Sequence, residues 1–94
     1  MKKNFNWYSR YALVTGAASG MGRIYSRELA LKGYNVILVD INAAGLEETA
    51  EIVKQTVEAA SKVPSEVKSL LKVMPLVQDL STMDAADRIF EATE

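Results

Sequence analysis

The chain of 94 residues contains no cysteine and no histidine. Disulfides, zinc fingers and any Ser–His or Cys–His nucleophilic pair are therefore excluded. Proline is scarce at two residues, and there is one tryptophan. Long apolar runs are missing as well: residues 11–14 and 36–39 are the longest, at four each. A membrane helix needs about 20 such residues and a secretory core about 7–15. An excess of either charge is also lacking, with 11 Lys+Arg against 12 Asp+Glu. That balance argues against a general nucleic-acid binder, and the absence of cysteine fits a cytoplasmic protein.

What is present is a globular composition, 49% hydrophobic and 24% charged. The length supports one small domain, with a thin core that buries roughly 60–68% of the unfolded surface. The charge is unevenly spread, at +5 over residues 1–33 and −6 over the remainder. A basic end can meet an anionic ligand or be an ordinary solvated surface, and charges this dispersed do not choose between the two.

Periodicity alternates along the chain. Residues 11–15 are a short apolar run ending at Gly16, the pattern of a buried strand. A glycine-rich turn follows, and then residues 21–32 form a helix, with Met21, Ile24, Tyr25 and Leu29 at helical spacing and Gly33 as its C-terminal cap. Residues 35–40 contain four consecutive branched apolar side chains, as in a strand covered on both faces. Asn42 caps a long helix over residues 43–62, whose stripe is Leu46, Ala50, Val53, Val57 and Ala60. Pro64 stops that helix, and residues 65–72 make a short additional one. Residues 73–77 read as a third strand, placed at a sheet edge because Pro75 has no N–H to donate. Ser81 then caps a last helix, with Asp84 three residues on. This order predicts an α/β fold: a parallel three-stranded sheet in the order 3-2-1, with helices on both faces. The first strand would lie at an open edge, an aggregation hazard that another copy or further chain would cover. Phe5, Trp7 and Tyr8 are assigned packing and no chemistry.

The informative stretch is Thr15-Gly16-Ala17-Ala18-Ser19-Gly20-Met21-Gly22, between the first strand and the first helix. A phosphate needs backbone N–H groups that it can approach without meeting a Cβ, and it gains from the positive end of a helix dipole. A Walker loop is ruled out, because Met21 stands where its second glycine would be and no lysine follows. The spacing Gly-x-Gly-x-x-Gly fails too, since Tyr25 replaces the last glycine.

What remains, Thr-Gly-x-x-x-Gly-x-Gly, resembles the cofactor loop of the short-chain dehydrogenase/reductase family. Residues 11–22, the Glu-Leu-Ala-x-Lys-Gly helix end at Gly33 and the strand ending at Asp40 are all similar to that family's opening unit. The resemblance implies the first half of a Rossmann-like domain, with residues 1–10 as a tail and 11–94 as part of a longer chain. It implies cofactor contacts at Gly16, Ser19, Gly20, Met21, Gly22, Asp40, Ile41, Asp79 and Leu80, with Met21 acting through its backbone. Asp40 stands eighteen residues after Gly22, near the spacing of about 20 at which an acid meets the adenosine ribose. Its charge would repel a 2′-phosphate, and no Arg or Lys at position 19 or 41 offsets that, so NAD is expected over NADP.

The family's catalytic signature is missing from these residues. Four positions after Tyr8, Tyr11, Tyr25 and Tyr34 stand Ala12, Thr15, Leu29 and Leu38, so no Tyr-x-x-x-Lys occurs. The expectation is the cofactor-binding front of an oxidoreductase acting on an alcohol or ketone of steroid or 3-oxoacyl type. The segment alone would be inactive, and would associate as a homo-oligomer or through its sheet edge. The alternative is a non-catalytic dinucleotide-binding or sensor module paired with a partner chain.

Overall fold

The computed structural model describes residues 6–78 and 89–93. Strand β1 (Arg10–Thr15) is followed by helix α1 (Gly20–Leu31), strand β2 (Tyr34–Asp40) and helix α2 (Ala43–Ala59). A 3₁₀ turn, Ser65–Leu70, leads to strand β3 (Val73–Val77), and strand β4 (Ile89–Thr93) comes last. β1–β2 and β2–β3 are parallel pairs, so the 3-2-1 order holds.

Two expectations about the sheet change. The expected last helix does not extend through residues 89–93, which form β4, and its start at Ser81 lies outside the described residues. β4 pairs antiparallel with β1, so the sheet runs β3-β2-β1-β4 and β1 is not an open edge. The backbone groups of β1 that would have faced that edge find hydrogen bonds in β4.

Among the described residues the helices cover one sheet face rather than the expected two, as successive right-handed crossovers in one direction require. The core holds Val14 from β1, Val36 and Leu38 from β2, and Leu46, Ala50, Val53 and Val57 from α2. Four of the five expected stripe residues are therefore buried on α2, which ends at Ala59 rather than at residue 62 and leaves Ala60 half-buried as its cap. The opposite face carries Tyr11, Leu13, Ile37, Met74 and Leu76, half-buried to exposed. Among the described residues no helix is long and apolar enough to cross a membrane.

α1 turns a different face inward from the one its apolar spacing suggests. Met21, Ile24 and Tyr25 are exposed, and the buried positions are Gly22, Ser26 and Ala30. These small residues recur every fourth position on one side, and they let the helix axis approach the sheet and the preceding loop closely. The Ser26 hydroxyl, which would otherwise be buried unsatisfied, donates to the Gly22 carbonyl at 2.7 Å.

The chain before β1 is built into the core. Tyr8 is 4% exposed, and its hydroxyl donates to the Ala30 carbonyl at the end of α1 (2.9 Å). Its backbone is left-handed, with φ +59°, and its N–H donates to the Gly33 carbonyl (2.7 Å). Buried Asn35 completes this end of the sheet. Its Nδ2 donates to the Tyr8 carbonyl (2.9 Å) and its Oδ1 accepts the Lys72 N–H (2.8 Å), tying together the starts of three strands. β3 lies at the edge, as Pro75 predicts. The bonds from Val36 N–H to the Lys72 carbonyl and from Gln78 N–H to the Asp40 carbonyl turn the even-numbered residues of this segment toward β2. Pro75 therefore points its missing donor outward.

Candidate functional site

The site forms where β1 and β2 end side by side, with Thr15 paired to Val39. The chain leaves β1 through Gly16, whose φ of +66° is one that a side chain rarely adopts. The Gly16 carbonyl then accepts both the Ser19 N–H (3.0 Å) and the Ser19 hydroxyl (2.7 Å). The Ser19 Oγ in turn accepts the Gly22 N–H at 3.1 Å, capping α1. Ser19 thus spends its hydroxyl on closing the loop.

Gly20 and Gly22 have opposite surroundings. A Cβ added at Gly20 would meet nothing within 4 Å. A Cβ at Gly22 would collide with the Gly16 carbonyl oxygen and lie 2.7 Å from the Ala17 Cα. The three glycines therefore answer three separate needs: a left-handed turn, an open approach and a close contact between helix and loop. The first turn of a helix has no internal partners for its N–H groups. Ser19 supplies one for Gly22, and the N–H groups of Gly20 and Met21 have none among the described residues. The result is an anion-receptive helix start with open space over Gly20.

Asp40 stands beside this loop. Its Oδ2 accepts the Ala18 N–H at 3.0 Å and its Oδ1 accepts the Asn42 N–H at 3.0 Å. The carboxylate is half-buried, and each oxygen keeps a further lone pair for a ligand hydroxyl. Met21, directly after Gly20, and Ile41, directly after Asp40, are each 64% exposed. The structure thus brings Gly16, Ser19, Gly20, Met21, Gly22, Asp40 and Ile41 together. Asp79 and Leu80 lie outside the described residues.

Four residues beyond that set support the loop from behind. Asn42 caps α2 by accepting the Gly45 N–H at 3.0 Å, as its position predicts. Sequence reasoning misses Gly45, Thr49 and Arg23. A Cβ at Gly45 would stand 2.7 Å from the Ala18 Cβ, so this glycine lets α2 press against the loop. Thr49 is buried, and its hydroxyl donates to the Ala17 carbonyl at 2.9 Å. Arg23 Nε donates to the Thr49 hydroxyl at 2.8 Å, and its Nη2 forms an ion pair with Glu48 at 2.7 Å. The available signal was a polar residue, Thr49, interrupting an apolar stripe between Leu46 and Val53.

The family model for short chain dehydrogenase matches residues 10–93. The 7beta-hydroxysteroid dehydrogenase of Clostridium sardiniense is 37% identical over 87 residues, which is 93% of this chain and 29% of that protein. The very-long-chain 3-oxoacyl-CoA reductase of Eremothecium gossypii is 45% identical over 60 residues, 64% of this chain and 16% of that protein. A crystal structure of levodione reductase superposes with a TM-score of 0.63 at 30% identity, covering 81% of this chain and 25% of that one. The chain thus spans less than a third of the length of the curated relatives it matches.

Proposed function

The chain belongs to the short chain dehydrogenase family, and from that premise we propose that it is the NAD-binding front of a longer oxidoreductase. The parent protein would transfer hydride between the nicotinamide and an alcohol or ketone. The carrying observation is the pairing of open Gly20 and Met21 amides at the start of α1 with the Asp40 carboxylate, which holds the Ala18 amide of the same loop. The amides suit a pyrophosphate, and the free lone pairs of Asp40 suit ribose hydroxyls. Bound there, the cofactor supplies the hydride chemistry, and the residues of this chain bind it and hold its adenosine half in place. A carboxylate at this point disfavours a 2′-phosphate, which supports NAD over NADP.

The relatives' activities, on a hydroxysteroid and on a 3-oxoacyl-CoA, support a bulky, largely apolar substrate of one of those kinds. The acid–base and carbonyl-orienting residues would come from the rest of the parent protein, because no Tyr-x-x-x-Lys lies in these residues. The lack of cysteine supports a cytoplasmic setting.

The test is calorimetric titration of the full-length protein with NAD and NADP, before and after Asp40→Ala. The unmodified protein should prefer NAD. The substitution should weaken NAD by about 1.5–3 kcal/mol, the value of a hydrogen bond to a charged group. It also frees the Ala18 and Asn42 amides, so a lower melting temperature should accompany the loss. Equal affinity for the two nucleotides, or no binding of either, overturns the proposal.

A further inference from the structure

The peptide group joining Ala17 to Ala18 lies at the back of the loop and is gripped at both ends. Its N–H donates to Asp40 Oδ2 at 3.0 Å, and its carbonyl accepts the Thr49 hydroxyl at 2.9 Å. The two grips come from different elements, the end of β2 and the second turn of α2. Together they fix the plane of a peptide that would otherwise be free to rotate.

We propose that Thr49 is a positioning residue for the nucleotide site, its buried hydroxyl holding the Ala17–Ala18 peptide so that the loop amides and the Asp40 carboxylate face the ligand.

The chemistry of the hydroxyl is one-directional. Arginine can only donate, so Arg23 Nε, at 2.8 Å, must occupy an oxygen lone pair of Thr49. The single hydroxyl hydrogen is then left for the Ala17 carbonyl, which can only accept. Arg23 is itself held on α2, by Glu48 at 2.7 Å and by the Gly45 carbonyl at 3.3 Å. Its backbone stands in the first turn of α1, where its N–H donates to the Ser19 carbonyl. One side chain therefore joins the start of the ligand-facing helix to the hydroxyl that sets the loop. Gly45 allows the approach, since any Cβ there would meet Ala18. Thr49 is fully buried and touches no ligand position, so its effect on binding passes through the loop.

The inference rests on the dinucleotide reading, and the experiment separates the two. Thr49→Val, which keeps shape and removes the hydroxyl, is compared with Thr49→Ser, which keeps the hydroxyl and removes a methyl. Affinity for NAD and for ADP is measured in the full-length protein, well below the melting temperature of every variant. Thr49→Val should weaken both ligands roughly tenfold, while Thr49→Ser should stay within about twofold of the unmodified protein, because one hydrogen bond separates them. A purely structural role predicts no such split, with affinity unchanged in both and only stability reduced. That outcome overturns the proposal. An unmodified protein that binds neither ligand overturns the dinucleotide reading instead. Should Thr49→Val not fold, Thr49→Ala, which also lacks the hydroxyl, takes its place in the comparison. Weaker binding of NAD and ADP by Thr49→Ala than by Thr49→Ser supports the proposal, and equal binding overturns it.

Discussion

Alanine at Gly20 and at Gly22, introduced separately, divides what the loop does for the fold from what it does for a ligand. At Gly22 the new Cβ would collide with the Gly16 carbonyl oxygen and stand 2.7 Å from the Ala17 Cα and 2.8 Å from the Gly16 carbonyl carbon. All three are backbone atoms, so no side chain can swing aside and the loop itself must retreat. Its retreat strains the Ser19–Gly22 hydrogen bond and the left-handed turn at Gly16. Overpacking costs about 1–3 kcal/mol, and a backbone obstacle puts this site at the upper end. The gain in helix propensity from glycine to alanine returns about 1 kcal/mol. The strain wins by about 2 kcal/mol, and the melting temperature should fall by several degrees.

At Gly20 the same atom enters empty space, and the backbone there is not left-handed. Alanine should leave the fold intact or stabilise it by about 0.4–1 kcal/mol, because it restricts the unfolded chain. It would nevertheless stand over the amides that the pyrophosphate must reach. Losing one hydrogen bond to a charged group there costs about 1.5–3 kcal/mol, or roughly 10- to 150-fold in affinity. Thermal unfolding and calorimetric titration with NAD on the full-length protein read the two effects independently. Gly20→Ala should melt no lower yet bind poorly, and Gly22→Ala should lose on both counts. Undiminished NAD binding by Gly20→Ala would refute the assignment of these amides to the pyrophosphate. An unchanged melting temperature for Gly22→Ala would refute the close contact between helix and loop.

Burial pushes the Tyr8 phenol above its ordinary value, so the fold favours the neutral form. The resulting stability is intact below about pH 10 and drains away as pH rises toward the folded-state value. Tyr8→Phe should cost about 1 kcal/mol at neutral pH, through the lost bond to the Ala30 carbonyl, and should flatten the alkaline fall. Denaturant unfolding across that range checks both, and an alkaline limb as steep in Tyr8→Phe would contradict the role. At the β3 edge, Pro75→Val restores an outward N–H between exposed Met74 and Leu76 and should promote self-association. Sedimentation that shows no more association than in the unmodified protein would refute that edge role.

The strands and α2 were legible because their signals are local and redundant. The branched run 36–39 admits few alternatives to a buried strand, and Leu46, Ala50, Val53 and Val57 repeat at the helical period and are among the residues buried. The glycine turn was legible for a related reason: three glycines between a strand and a helix have few uses other than close approach. α1 misled because apolar spacing ranks faces by hydrophobicity, while its orientation is set by distance. Gly22 must touch Gly16 and Ala17, and that contact carries Ser26 and Ala30 inward and leaves Met21, Ile24 and Tyr25 outside. The supports behind the loop were hidden by separation. Thr49 meets Ala17 across 32 positions and Arg23 across 26, and no pattern within either segment encodes the other. Asp40 joins the two cases. Its position after the second strand was readable as that of an acid aimed at a ribose, but its grip on the Ala18 amide appears only once β1 and β2 are paired. The group expected to choose the nucleotide is therefore also part of what shapes the phosphate loop. A substitution aimed at nucleotide preference through Asp40 should accordingly disturb pyrophosphate binding, even for ligands that carry no 2′-phosphate.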